Sequence, residues 1–201
     1  DETHTLSTGL GGYTAIHGLE PDLFVAGKAV AGGVPTAVWG FTADIARRLD
    51  AARRTVPGGH SGIGTTLSGS ALQLACLRAC LEEVMTAQAY EHMTGTAARI
   101  ASGLDAAIRK ARLPWHVSRV GARIEVVLRR EPLRNARDAR AAASHAIEAA
   151  LHLAMLNRGY LMTPFHNMVL VSPALSTADA DGFVQAFSEV AVELSGEAER
   201  M

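Results

Sequence analysis

The pattern of apolar and polar positions changes character along this chain. Leu23-Phe24-Val25-Ala26 is a short apolar run bounded by Pro21-Asp22 and Gly27, which predicts a buried strand, and Thr36 to Phe41 predicts a second. Thr42, with Asp44 in the following turn, predicts a helix opening there and running to about Arg54. From Ser70 to about Glu91 apolar residues fall on more than one helical face, which predicts a largely buried helix. A second helix is expected from about Thr94 to Arg112, ahead of Pro114. Beyond it, Ala122 to Leu128 alternates like a strand, and Arg137 to Arg158 predicts one long amphipathic helix stopped at Gly159. Tyr160 to Met162 and Met168 to Val171 are expected as strands, and Ala178 to Leu194 as the last helix.

Glycine marks the same change of character. Thirteen of the nineteen glycines precede residue 70, and the later chain is rich in alanine and arginine. Strands mixed with helices throughout predict an α/β first part and an α+β second part from about residue 112. A sheet of only two early strands is too small to stand alone. The chain also opens on an acidic pair that runs at once into glycine-rich loop, so an N-terminal portion of the same protein is expected ahead of Asp1.

Composition narrows the class. The 201 residues are 48% apolar and 19% charged with a net charge of −1, a globular balance that can bury a core without disulfide or metal staples. Near-neutral charge leaves no electrostatic footprint for nucleic acid or for an anionic membrane. No apolar run approaches the roughly 18 residues of a membrane helix. Asp1-Glu2-Thr3-His4-Thr5 has no basic flank or apolar core and does not read as a signal peptide, while Cys76 and Cys80, four apart on one predicted helix, read as reduced thiols. A cytoplasmic location is the expectation.

Of nineteen basic residues only Lys28 and Lys110 are lysine. Lys110 belongs to a charged helix end, Arg109-Lys110-Ala111-Arg112, whereas Lys28 stands alone within Phe24-Val25-Ala26-Gly27-Lys28-Ala29-Val30-Ala31-Gly32-Gly33. Apolar surroundings disfavour an ammonium, and the neutral amine is the form that condenses with carbonyls to a Schiff base. Gly27, Gly32 and Gly33 would let a flat ligand approach the backbone. The alternative is a lysine whose stem is buried and whose head reaches water. Asp1 fits either picture: a carboxylate there can hold a proton on the ring nitrogen of a pyridinium, or simply be solvated.

The motifs, taken in order, are more specific. Asp1-Glu2-Thr3-His4-Thr5, Gly11-Gly12-Tyr13, Glu20-Pro21-Asp22-Leu23 and Gly27-Lys28-Ala29-Val30-Ala31-Gly32-Gly33-Val34-Pro35 resemble the signature of the class III pyridoxal-phosphate aminotransferases. Within them the chain is most similar to the glutamate-1-semialdehyde aminomutase-like branch, which Thr66-Leu67-Ser68-Gly69 also matches. Pro132-Leu133-Arg134-Asn135-Ala136-Arg137-Asp138-Ala139 and Asn157-Arg158-Gly159-Tyr160-Leu161 fall where that branch has comparable segments.

The resemblance implies an α/β fold, the fold-type I pyridoxal-phosphate transferase. Residues 1–111 would be the C-terminal part of the large cofactor-binding domain with its connecting helices, and residues 112–201 the C-terminal α+β small domain. It implies pyridoxal 5′-phosphate as cofactor, with Lys28 forming the internal aldimine and shuttling the proton, and Asp1 holding the pyridine nitrogen. Thr3 would touch the ring face, where the family often has valine. Thr66 would donate its hydroxyl to the cofactor phosphate of a neighbouring subunit, so that a homodimer shares the active site. Family members carry the Asp-Glu pair in mid-chain, in keeping with a missing N-terminal half. The implied activity is aminotransfer between an amine or amino acid and a keto acid.

Two departures qualify it. Thr65 stands where the branch usually has glycine, and Asn167, in Thr163-Pro164-Phe165-His166-Asn167-Met168, aligns with a glutamate that lies near the substrate amino groups in the aminomutases. An amide cannot serve as that carboxylate, which favours aminotransfer over aminomutation. An aminomutase and a noncatalytic domain retaining the fold are the alternatives. His4 and His166 are further substrate-contact candidates, each also readable as a structural histidine. His145 and His152 lie seven apart with no carboxylate or cysteine to complete a metal site, so no metal is expected. Arg129-Arg130 reads as a solvated pair rather than a carboxylate clamp. Gly59-His60-Ser61-Gly62-Ile63-Gly64 imitates a dinucleotide-binding pattern without its full spacing and keeps a nucleotide-binding module open as a third alternative.

Overall fold

A computed structural model of the chain describes residues 1–58, 63, 64 and 66–198. Thr65 and most of the Gly59 to Gly64 pattern lie outside the described residues. The chain divides into two compact units, Asp1–Ala89 and Tyr90–Met201.

In the first unit, a 3-10 turn (Thr5–Thr8) and a short helix α1 (Gly12–Ile16) precede strand β1 (Leu23–Ala26). Pro21 and Gly27 bound β1 as the sequence predicts, but the strand is not the buried one expected: Leu23 and Val25 are exposed and only Ala26 is buried. A second 3-10 turn (Lys28–Ala31) separates it from β2 (Val38–Phe41), and the two strands pair antiparallel from Leu23 opposite Phe41 to Ala26 opposite Val38. Asp1 to Thr3 runs beside β1, the Glu2 N–H donating to the Val25 carbonyl at 2.7 Å. Thr42 caps α2 (Ala43–Arg53) by accepting from the Ile45 N–H at 3.5 Å, as its place before the apolar run predicts.

The long buried helix expected from Ser70 to Glu91 is corrected in both length and burial. It is α3 (Ala71–Ala79), continued by one π turn (Cys80–Val84) in which the Met85 N–H reaches back to the Cys80 carbonyl at 2.8 Å. Met85 then leaves helical geometry and a new helix starts. No residue of α3 is buried; Leu72 is 67% exposed, and Leu74, Leu81 and Val84 are exposed too. Periodicity reports that an apolar face exists, and the two-stranded ladder of the first unit supplies no second layer to cover it. Cys80 is the exception: it is buried, and its Sγ donates to the Ala29 carbonyl at 3.4 Å.

Helix α4 (Ala87–Lys110) leads into the second unit and buries Tyr90, Met93, Ala97, Ile100, Leu104 and Ile108, the three- and four-residue spacing of a helix with one apolar face. Strands β3 (His116–Val120), β4 (Arg123–Val127) and β5 (Met168–Leu170) form an antiparallel sheet in that order. β3 is not apparent in the sequence because it is an edge strand with exposed polar positions. The single helix expected from Arg137 to Arg158 is corrected to two, α5 (Ala136–Ala142) and α6 (His145–Leu156), parted by extended backbone at Ala143 and Ser144. Asn135 caps α5, its Oδ1 accepting from the N–H groups of Arg137 and Asp138. Gly159, at φ +85°, stops the chain after α6 as predicted. The strand expected at Tyr160 to Met162 is absent from the described residues: the Met162 carbonyl is taken by Nδ1 of His152 at 2.9 Å. Helix α7 (Thr177–Ala198) closes the unit. Ile100 and Leu104, Ile124 on β4, Leu151 and Met155 on α6, and Phe187 on α7 are its fully buried core.

Candidate active site

The site is built outward from Glu2, which is only 3% exposed. Its carboxylate accepts from the Thr14 N–H and the Thr14 hydroxyl, each at 2.5 Å, from the Tyr13 N–H at 3.1 Å, and from the Thr5 hydroxyl. Burial alone pushes this carboxyl up; the hydrogen bonds from Thr14 and Thr5 side chains and from the Thr14 and Tyr13 backbone overcome it and bring the pKa to about 2. Gly12 makes room, since a Cβ there would lie 2.8 Å from the Glu2 carboxyl carbon. Glu2 thus pins the opening segment to β1 through its N–H and to α1 through its side chain. In the sequence Glu2 stands out only as part of a motif; the signal for its anchoring role is an acid followed by Thr5 and by the Gly11-Gly12 turn.

On either side of this anchor are the predicted site residues. Asp1 is exposed, and its Oδ1 accepts from the Thr3 N–H at 2.7 Å. Thr3 is half-buried and faces Gly27, whose Cβ, if it had one, would lie 3.9 Å from the Thr3 hydroxyl. His4 is exposed at the head of the first 3-10 turn, where its carbonyl accepts from the Ser7 hydroxyl at 3.2 Å.

Lys28 follows β1 across Gly27 and opens the second 3-10 turn at φ +52°, a left-handed conformation that a lysine adopts at a cost of about 1 kcal/mol or more. Beyond it Val30 and Ala31 are buried, and Cys80 holds the Ala29 carbonyl. The left-handed turn throws the lysine side chain off the apolar run, so Lys28 is exposed rather than buried as its neighbours in sequence suggest. Its Nζ lies 2.8 Å from Nε2 of His4, 24 residues away in sequence. Gly27 is itself buried, with Ala37 and Thr36 as the nearest atoms to a Cβ, so it is not open to a ligand; Gly32 and Gly33 are exposed at positive φ, with open space where a Cβ would stand.

Asp1, Thr3, His4 and Lys28 are therefore gathered at one corner of the first unit. Thr66 lies exposed in the turn ahead of α3 and makes no hydrogen bond to these four among the described residues. The donor set suits an aldehyde-bearing nitrogen heterocycle: an accessible amine to condense with the aldehyde, and a carboxylate on the adjoining segment to hold a ring N–H.

His166 and Asn167 belong to the second unit, in a turn where both have positive φ, +60° and +43°. Asn167 is 2% exposed; its Nδ2 donates to the Val126 carbonyl and its own carbonyl accepts from the Val126 N–H, both at 3.3 Å. His166 is exposed, with Nδ1 3.7 Å from Oε1 of Glu125. With Glu125, Arg140 and Glu148 they line a cleft of about 150 Å³. Arg129 is engaged by Glu131 and Asp138 at 3.2 and 3.8 Å, so it is half-buried and paired rather than solvated.

Three comparisons bear on this geometry. The family model described as aminotransferase class-III matches residues 3–190. The glutamate-1-semialdehyde 2,1-aminomutase of Anaeromyxobacter sp. (strain Fw109-5) is 33% identical over 175 residues, 87% of this chain and 38% of that protein. The crystal structure of a glutamate-1-semialdehyde-aminomutase from Pseudomonas aeruginosa PAO1 in complex with PMP shares 46% identity at a TM-score of 0.88, covering 94% of this chain and 43% of that one. The crystal structure of a β-phenylalanine aminotransferase from Variovorax paradoxus shares 25% identity at a TM-score of 0.80, covering 94% and 42%. The chain spans about two fifths of the length of the curated relatives it matches.

Proposed function

The chain belongs to the class-III aminotransferases, whose fold it shares, and on that premise we propose that it is part of a pyridoxal 5′-phosphate-dependent aminotransferase anchored through Lys28. The reaction moves an amino group between an amine or amino acid and a keto acid. One observation carries this reading: a lysine held in a strained left-handed turn, exposed, with its amine 2.8 Å from His4 on the segment that opens at Asp1. A relative with 46% identity binds PMP, the amine form of the same cofactor.

When bound, the cofactor supplies an electron sink that lowers the cost of removing the substrate Cα proton. The chain's own residues do the rest. Asp1 would hold a proton on the ring nitrogen and Thr3 would pack on the ring face, while the Lys28 amine would be the base that takes the substrate Cα proton on Nζ and later returns it. Thr66 would bond the phosphate held by a neighbouring subunit, which would make the active species a homodimer, and His4 and His166 are the candidates for substrate contact, Asn167 being buried against Val126. We assign residues 1–111 to the large cofactor-binding domain and residues 112–201 to the small domain. No described helix is long and apolar enough to cross a membrane.

The test uses the full-length protein. Mixed with pyridoxal 5′-phosphate it should gain visible absorbance that borohydride abolishes, leaving the reduced cofactor's mass on the Lys28 peptide; an unmodified Lys28 peptide overturns the assignment. An aminomutase is the second reading, favoured by the similarity to the Anaeromyxobacter and Pseudomonas aeruginosa aminomutases. Asn167 speaks against it, because its amide is buried and bonded to Val126. Product formed without any added keto acid would decide for the aminomutase.

A further inference from the structure

We infer that His4 is a positioning residue for Lys28, accepting a hydrogen bond from Nζ and so fixing the direction in which the amine presents its lone pair. The inference rests on the assignment of Lys28 as the reacting amine.

Both partners are held from behind. His4 is clamped between Glu2, whose N–H is tied to Val25 and whose carboxylate is tied to α1, and the 3-10 turn in which Ser7 bonds the His4 carbonyl. Lys28 is fixed by its left-handed backbone, by the buried Val30 and Ala31 that follow, and by the Cys80 bond to Ala29. Two segments 24 residues apart are thus built so that Nζ and Nε2 meet at 2.8 Å.

Hydrogen-bond chemistry assigns the roles. An ammonium has three donors and no acceptor, so Nε2 accepts, and the imidazole is neutral with its proton on Nδ1. His4 orients the group. In the neutral amine one N–H still points at Nε2, which turns the lone pair away from His4 and leaves it free to take a proton or attack a carbonyl.

The experiment follows covalent attachment rather than turnover. Full-length wild type, His4→Phe and His4→Gln are mixed with pyridoxal 5′-phosphate, quenched with borohydride at intervals, and the Lys28 peptide is weighed. Gln carries an acceptor oxygen at about the reach of Nε2; Phe keeps the ring and removes the acceptor. His4→Phe should slow attachment about tenfold, the loss of one hydrogen bond, and His4→Gln should recover most of it. Equal rates in wild type and His4→Phe overturn the inference while leaving Lys28 as the anchor, and so does a His4→Gln as slow as His4→Phe. A wild type that never carries cofactor on Lys28 overturns the proposed function and this inference together.

Discussion

The Glu2 carboxylate closes on Thr14 twice, one oxygen accepting from both the backbone N–H and the hydroxyl at 2.5 Å. With its pKa brought from an ordinary 4.5 to about 2, the unfolded chain binds a proton here before the folded one does. The stability it contributes is therefore complete above pH 4.5 and is lost as pH falls through about 2. The change is about 2 to 3 kcal/mol over that window. Urea midpoints of wild type and Glu2→Gln measured from pH 6 down to pH 2 should converge in acid; curves that stay parallel would refute the assignment.

Gly12 is the other half of that anchor. Gly12→Ala places a methyl 2.8 Å from the Glu2 carboxyl carbon and puts a side chain at φ +73°. A loss of about 2 to 3 kcal/mol is expected; the part due to the clash, though not the part due to the positive φ, should be absent in a Glu2→Ala background, as a double-mutant cycle by denaturant unfolding would show.

The left-handed turn at Lys28 separates function from stability. Lys28→Ala and Lys28→Gly should both abolish turnover and covalent cofactor attachment. Glycine alone relieves the positive φ, so Lys28→Gly should be more stable than Lys28→Ala by about 1 kcal/mol in thermal or urea unfolding of the cofactor-free protein.

Gly103 on α4 faces Val184 on α7, and a Cβ on Gly103 would fall 2.5 Å from Val184 Cγ1. Gly103→Ala should cost about 1 to 3 kcal/mol, and adding Val184→Ala should restore part of it. Additive effects of the two substitutions would show that the helices do not meet there.

These particulars also explain what the sequence discloses. β1 and α2 are legible because their punctuation is local: Pro21 and Gly27 bound one, and the Thr42 hydroxyl caps the other. The breaks at Met85 and at Ala143-Ser144 are not, since the flanking leucines and alanines are good helix formers and the Ser144 side chain makes no capping bond. Tyr160 to Met162 has strand-like residues, but a histidine ten positions away takes the carbonyl a ladder needs. At the site, Asp1 and Lys28 are conspicuous by type and motif. The exposure of Lys28 and its meeting with His4 depend on a backbone sign and on a pairing across 24 residues, which no local pattern encodes.

The uncovered leucines of α3 and the π turn, with Trp39 on β2 also exposed, carry a practical consequence. Translated by themselves, these residues would offer chaperones and fluorescent hydrophobic dyes an adhesive surface. Recovery of the polypeptide from cells would then be governed less by how well its own core packs than by how promptly those side chains are shielded.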